Sequence, residues 1–388
     1  MIDNVLHNSG KCMNIRNLMF GVCDCLRERK NIRREFRHIR DPRFLEIANS
    51  YILTKENKEA IDEFYTTNYG ERIPYIWHQY FSAHSGVFDP HYFPNLLLHP
   101  YFEHYININR HYAFVFEDKN VLPYLASSAG IKMPQTILSK TCGIMRDGDR
   151  RIVDDKKAQE ILTAKGEVFC KLSTGSYGGR NCFVIDFEDT KEPPMKILNG
   201  LGSNFVIQEK IQCHESIAKI YSKSVNTFRV ITYRWKDEFR QLPVFMRVGQ
   251  GGAVVDNGAV GGMFLGVHAD GTLTEKAVMP YKTCILSHPD SGFVFKGHKI
   301  VDFYKVCSAA IRMHQMMPQI GMVYWDFTID RVGEPVLIEC NIFNGTIYAI
   351  QMTLGVPAFG EHTAEVLQWI KKMKKTSYSK RNDYAFGY

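Results

Sequence analysis

Three oxygen-bearing side chains in the last quarter of the chain could hold a hard cation. Asp326, Glu339 and Asn341 sit in a stretch that reads as two strands joined at Asp330-Arg331-Val332-Gly333, because apolar and β-branched residues flank a polar break containing glycine. Period-2 alternation puts Glu339 and Asn341 on one face of the second strand. A hairpin folded at 330–333 brings Asp326 opposite them. Mg²⁺ takes carboxylates together with substrate phosphates, so this trio is a candidate metal site. The same pattern also fits a half-buried hairpin whose polar residues simply face water.

A second stretch could hold the phosphates themselves. Residues 167–186 read as strand, glycine-rich loop, strand, with Lys171 just before Gly175-Ser176-Tyr177-Gly178-Gly179. Glycines allow close backbone approach, and consecutive N–H groups can cradle an anion. Neither a Walker A loop nor a G-x-G-x-x-G fingerprint is present, since a strand and not a helix follows. A plain hairpin with a glycine turn is the alternative. Further on, Ser224-Val-Asn-Thr-Phe-Arg229-Val-Ile-Thr232 alternates as a strand, with Arg229 on the parity of Thr227. Residues 249–262 then carry six glycines in fourteen positions around Asn257, which marks a mobile loop and not a strand.

The order and spacing of these pieces resemble the ATP-grasp superfamily, in particular its sugar-transfer-associated, capsule-type branch. The matching motifs are D-(strand)-G-x-P-x-L-I-E-x-N, K-(short)-G-S-x-G-G-R, S-V-N-T-x-R-x-x-T and D-N-x-x-x-G-G, preceded by D-K…G-I-x-x-P at Asp118–Pro134. The resemblance covers about residues 115–360 and implies roles for the positions that match. Lys119, Lys171, Gly175, Ser176, Gly178 and Gly179 would contact the nucleotide phosphates. Glu209 and Lys210 would sit at the hinge beside the adenine, and Glu215 would accept from the ribose. Asp326, Glu339 and Asn341 would hold two Mg²⁺ on ATP, while Arg229, Arg247 and Asn257 would face the reacting groups. D-Alanine–D-alanine ligases have an arginine two residues before the metal-binding Asp, where this chain has Tyr324; the oxyanion-stabilising role would then pass to another group such as Arg229 or Arg247, or the chemistry differs.

The resemblance implies an α+β ATP-grasp fold of two lobes clasping ATP, preceded by a domain of another kind. We expect a helical, aromatic-rich domain over 1–115, an N-terminal lobe over 116–205, a C-terminal lobe over 206–375 and a basic, solvated tail over 376–388. The expected activity is ATP-dependent carboxylate–amine ligation through an acyl phosphate. A small molecule or glycan precursor would bring the carboxylate, with a separate amine donor. A kinase acting on a hydroxyl, or a regulator that binds nucleotide without turnover, would use the same motifs.

Composition is compatible with this. A chain of 388 residues with 45% hydrophobic content can bury a sizeable core. A net charge of +7 suits anionic ligands without requiring nucleic acid, and none is expected as a partner. Ten scattered cysteines suit free thiols in a reducing cytoplasm, and Cys23-x-Cys25 lacks a second pair at zinc spacing. No signal-peptide or membrane-spanning run is seen. Residues 27–40 carry seven Lys/Arg against two Glu, which fits a solvated helix face or peripheral contact with an anionic membrane. The sixteen aromatic residues of 61–116 fit either a packed core or surfaces that stack on sugar rings.

Overall fold

The computed structural model describes residues 2–175, 182–190, 192–258, 261–282 and 284–388, with side chains from residue 18 onward. Two antiparallel sheets carry the candidate site. The smaller has the order β2-β1-β5-β3-β4, from β1 (Thr136–Thr141), β2 (Ile144–Asp147), β3 (Glu167–Leu172), β4 (Phe183–Asp186) and β5 (Phe205–Glu209). The larger runs β11-β10-β6-β8-β9, with β7 also on β6. Its strands are β6 (Thr227–Trp235), β7 (Glu238–Gln241), β8 (Val244–Val248), β9 (Met263–Val267), β10 (Met322–Ile329) and β11 (Pro335–Asn341).

Alternation along β6 and β10 explains how the larger sheet is covered on both faces. Phe228, Val230, Val323, Trp325 and Phe327 point into a core shared with the helix Phe303–Gln315. Ile231, Tyr233, Trp235, Met322 and Tyr324 point the other way, into a core built with the N-terminal helices. Those helices are α1 (Ile2–His38), α2 (Pro42–Asn49), α3 (Lys55–Asn68) and α4 (Ile76–Ser85), followed by short turns to Phe116. Phe44, Tyr65, Trp77, Phe81, Tyr92, Phe93, Phe102 and Tyr105 are buried there against the sheet and against Trp369. The aromatic density is therefore core packing, and it offers no row of exposed rings for sugars.

Polar contacts fix this seam. Buried Asn107 donates to the carbonyls of Met322 (3.1 Å) and Ile342 (2.8 Å), and its Oδ1 accepts from the backbone of Gly321 (3.0 Å) and Met322 (2.8 Å). One side chain thereby satisfies both β10 and β11 at their ends. Glycine is required at 321, because a Cβ would lie 2.1 Å from the Ile106 carbonyl oxygen.

Several boundaries differ from expectation. The helix after the Asp118-Lys119 pair starts at Leu122, and Asp118 accepts from Asn120 N (2.8 Å) in the turn before it. Phe116, Leu122, Ala126 and Ile131 join the core beneath the larger sheet. The last residues are not a frayed, solvated tail. They wind as 3₁₀ turns over Tyr378–Gly387, where Arg381 pairs with Asp24 and Glu28 of α1, and the Tyr384 carbonyl accepts from Trp369 Nε1 (2.8 Å). Among the described residues no helix is long and apolar enough to cross a membrane.

Candidate active site

The site lies where one end of the larger sheet meets the smaller one. Asp326 on β10 pairs in register with Glu339 on β11 and with Arg229 on β6, and Arg247 on β8 pairs with Thr227. Cross-strand neighbours share a face, so the four charged side chains gather on the face that the N-terminal helices cover elsewhere. A β-bulge makes this possible. The β10–β11 register slips between Asp326 and Phe327, so Phe327 pairs with Leu337 and Ile338 is left over. Without it, Leu337 and Glu339 would point the same way; with it, Leu337 enters the core while Glu339 turns to the cleft.

Asp326 is fully buried and doubly countered. Its Oδ1 accepts from Arg229 Nε (2.7 Å), and its Oδ2 accepts from Arg229 Nη2 (3.2 Å) and lies 2.9 Å from Arg247 Nη2. Arg247 also donates to Thr227 Oγ1 and lies 3.7 Å from Asp256. Burial alone would weaken its protonation, but Asp256, Asp326 and Glu339 raise its pKa further. Glu339, with 26% of its side chain exposed, meets Lys119 Nζ at 3.3 Å. Burial pushes its carboxyl up, yet Lys119, Lys171 and Arg247 outweigh this and hold it down at about 2. Lys171, buried at the end of β3, donates to the carbonyl of Ile338, the residue that the bulge leaves without a cross-strand partner on β10 (3.5 Å). Burial, followed by repulsion from Lys119, lowers its pKa to about 8.

Lys171, Thr227, Arg247, Asp256, Asp326 and Glu339 line a narrow cleft of about 110 Å³ between the sheets, whereas Arg229 lines a second cavity beside it. Phe169, Val184, Val225 and Val254 give it apolar lining, while Lys171, Arg247, Asp326 and Glu339 give it charged lining. Glu209, Lys210 and Asn257 also line it, the first two with side chains directed outward to Lys165 and Glu167. Lys119, Gly175 and Asn341 reach a smaller recess on the other side of Glu339, where Asn341 Nδ2 donates to Glu339 Oε1 (3.4 Å). Glu215 is not brought to this cleft. It lies exposed at the start of a short helix, paired with Lys219 at 2.5 Å, and lines the neighbouring groove. Ser176, Gly178 and Gly179 lie outside the described residues.

Sequence reading missed Asp256 and the N-terminal contribution. Buried Asp256 accepts from Thr227 N (2.8 Å) and Oγ1 (2.6 Å), tying the glycine-rich 249–262 loop to β6. Its signal was present in the D-N-x-x-x-G-G motif, one position before the asparagine that attracted attention. Tyr324, in place of an arginine, donates to buried Glu103 (2.7 Å), so its hydroxyl serves the helix–sheet seam. Asp24, Glu28 and His104 also bring three donor atoms close together, but Arg381 pairs with both carboxylates, so we read this cluster as a salt-bridge network.

Comparisons with known proteins return distant structural neighbours and one family model. Solved structures that resemble the chain include D-alanyl-alanine synthetase A from Vibrio cholerae, at 13% identity and TM-score 0.40, covering 66% of this chain and 64% of that one. VanG D-Ala:D-Ser ligase from Enterococcus faecalis matches at 15% identity and TM-score 0.40, covering 66% and 62%. An N5-carboxyaminoimidazole synthetase from Staphylococcus aureus, complexed with ADP, matches at 14% identity and TM-score 0.36, covering 60% and 46%. This chain thus spans less than two thirds of the length of each of those structures. No match was found among curated proteins. A family model described as sugar-transfer associated ATP-grasp matches residues 99–365, well over half of the sequence, and the chain belongs to that family and has the ATP-grasp fold.

Proposed function

We propose that this protein is an ATP-dependent carboxylate–amine ligase. The observation that carries the reading is a cleft lined by Lys171, Arg247 and the Asp326–Glu339 pair together with apolar side chains, with Lys119 on Glu339 from the adjoining recess and Arg229 on Asp326 from the neighbouring cavity. On this reading the slot between Phe169 and Val225 takes the adenine beside the 209–211 backbone. Lys119 and Lys171 hold phosphates as charge-assisted donors. Gly175, Ser176, Gly178 and Gly179 would cover them. Two carboxylates and an amide oxygen, with Glu339 held ionised, match the donors that Mg²⁺ accepts. Asp326, Glu339 and Asn341 would hold one or two such ions, which when bound neutralise phosphate charge. A carboxylate oxygen of the substrate attacks the γ-phosphorus, the bond to the ADP oxygen breaks, and an incoming amine then displaces phosphate from the acyl carbon. Arg229 and Arg247 orient the carboxylate and stabilise the oxyanion of the tetrahedral state.

The family description links these proteins to sugar transfer, which supports a sugar acid or amino sugar of a polysaccharide precursor as one substrate. Nine free cysteines among the described residues suit a reducing, cytosolic setting. The test is ADP release over pairs of carboxylates and amines, with mass analysis of the product. An amide supports the ligase, and Glu339→Ala should abolish its formation. Phosphorylated acceptor with no amide would make the protein a kinase. Tight ATP binding with no release under any pair would make it a regulator.

A further inference from the structure

Beside the cleft, on the same face of the larger sheet, lies a cavity of about 670 Å³ that shares Arg247 and Asn257 with it. This size falls within the range of small-molecule sites. The sheet contributes Arg229 and Arg247 to its lining, and α1 contributes Arg34 and Arg37. Phe245 and Tyr348 supply apolar surface between them. The acids at the rim already have partners. Glu35 accepts from Arg34 Nε (3.3 Å), and Asp41 is held by Arg43 (2.7 Å). Arg34 keeps a second guanidinium nitrogen on Asn344 Oδ1 (2.9 Å), which fixes it at the cavity edge, and 43% of its side chain remains exposed. Arg37 makes no ion pair among the described residues, although it stands on the cavity wall.

Resting on the ligase reading, we propose that this cavity is the acceptor pocket. We further propose that its occupant carries a second anionic group, carboxylate or phosphate, seated by Arg34 and Arg37 while its reacting carboxylate faces Arg229 and Arg247. A guanidinium fork matches both oxyanions, and two arginine pairs brought to one cavity by different elements, α1 and the sheet, select a molecule charged at both ends over one charged at a single end. The first helix thereby becomes a specificity element for a reaction carried out on the sheet.

The experiment is calorimetry on the full chain saturated with Mg·ADP, so that added anions do not compete for the phosphate site. Probes are glutarate and 3-phosphoglycerate, with butyrate as the singly charged control. Both dianions should bind at least about tenfold more tightly than butyrate, the scale of one charge-assisted contact. In Arg37→Gln, and separately in Arg34→Gln, that preference should collapse while Mg·ADP affinity stays the same. The better of the two dianions identifies the distal group. Equal binding of butyrate and both dianions, or a preference that survives both substitutions, overturns the acceptor assignment alone. Failure of the wild type to bind Mg·ADP would instead remove the reading on which it rests.

Discussion

Replacing Asp326 by asparagine is the sharpest test of the site's electrostatics. The carboxylate is fully buried and receives three contacts from two guanidinium groups. Asparagine keeps the shape but supplies one acceptor oxygen, and it turns an amide donor toward an arginine. Removing one partner of a buried ion pair costs about 3–5 kcal/mol, because the remaining charge stays desolvated. Asp256, 3.7 Å from Arg247, remains as partial compensation, which places the loss near the lower end, about 3 kcal/mol. Trp77, Trp235, Trp325 and Trp369 all lie in the two cores flanking the larger sheet, so tryptophan fluorescence reports that body. With a urea slope of about 3 kcal/mol/M, the midpoint should fall by roughly 1 M. A companion variant, Arg229→Met/Arg247→Met/Asp326→Leu, should recover most of that loss and release no ADP, since a packed apolar trio can match a buried ionic one in stability. A midpoint for Asp326→Asn within about 0.2 M of wild type would refute the reasoning.

Lys171→Ala should weaken ATP binding by about 1.5–3 kcal/mol by calorimetry, and unchanged affinity would remove Lys171 from the phosphate site. Since burial and Lys119 lower its pKa to about 8, and phosphate favours the charged amine, wild-type affinity should be flat below neutrality and fall as pH rises through 8. Lys171→Arg should abolish this fall. The ligand-free chain should show the opposite trend: above 8 the unfolded lysine binds more protons than the folded one, so this group's contribution to stability rises with pH until the unfolded lysine also titrates. Gly321→Ala should cost at least about 1–3 kcal/mol in thermal or urea unfolding, because its Cβ meets backbone oxygen and not a movable side chain. A neutral result there would mean that the helix–sheet seam is looser than described.

The hairpin, the strand bearing Arg229 and the lysine before the glycine loop were legible because each is local, and strand alternation fixes which side chains share a face. The bulge at Ile338 was not. Alternation carried through Leu337 and Glu339 puts both on one face, and only burial of Leu337 against Phe327 forces the extra residue. Glu215 was placed by motif order, but chain order does not say which side of a short helix faces a cleft. The run 27–40 read as a solvated face because Glu28 and Glu35 interrupt its basic residues. In the fold Glu35 is buried and Arg34 turns onto a cavity, and both depend on residues some 300 positions away, such as Asn344. The aromatic segment shows the same limit, since composition announced a core without naming its partner, the far face of β6 and β10.

That shared core divides the two jaws of the clasp unequally. One jaw is the smaller sheet, whose own core is built from its strands and two helices, with Leu138, Leu162, Val168, Leu198 and Phe205 among its members. The other is the larger sheet, fused to α2–α4 and the turns after them through a core of more than thirty buried side chains and pinned by Asn107, a core to which the described side chains of α1 add no buried member. Prising the helices off that sheet would expose a whole aromatic core, whereas tilting the smaller sheet disturbs mainly the contacts at its rim. We expect opening and shutting to fall to the jaw that carries Lys171, while Arg229 and Arg247 stay with the sheet and Arg34 is tied to it through Asn344. A molecule held between them would then be gauged from the sheet side, whatever the nucleotide side is doing.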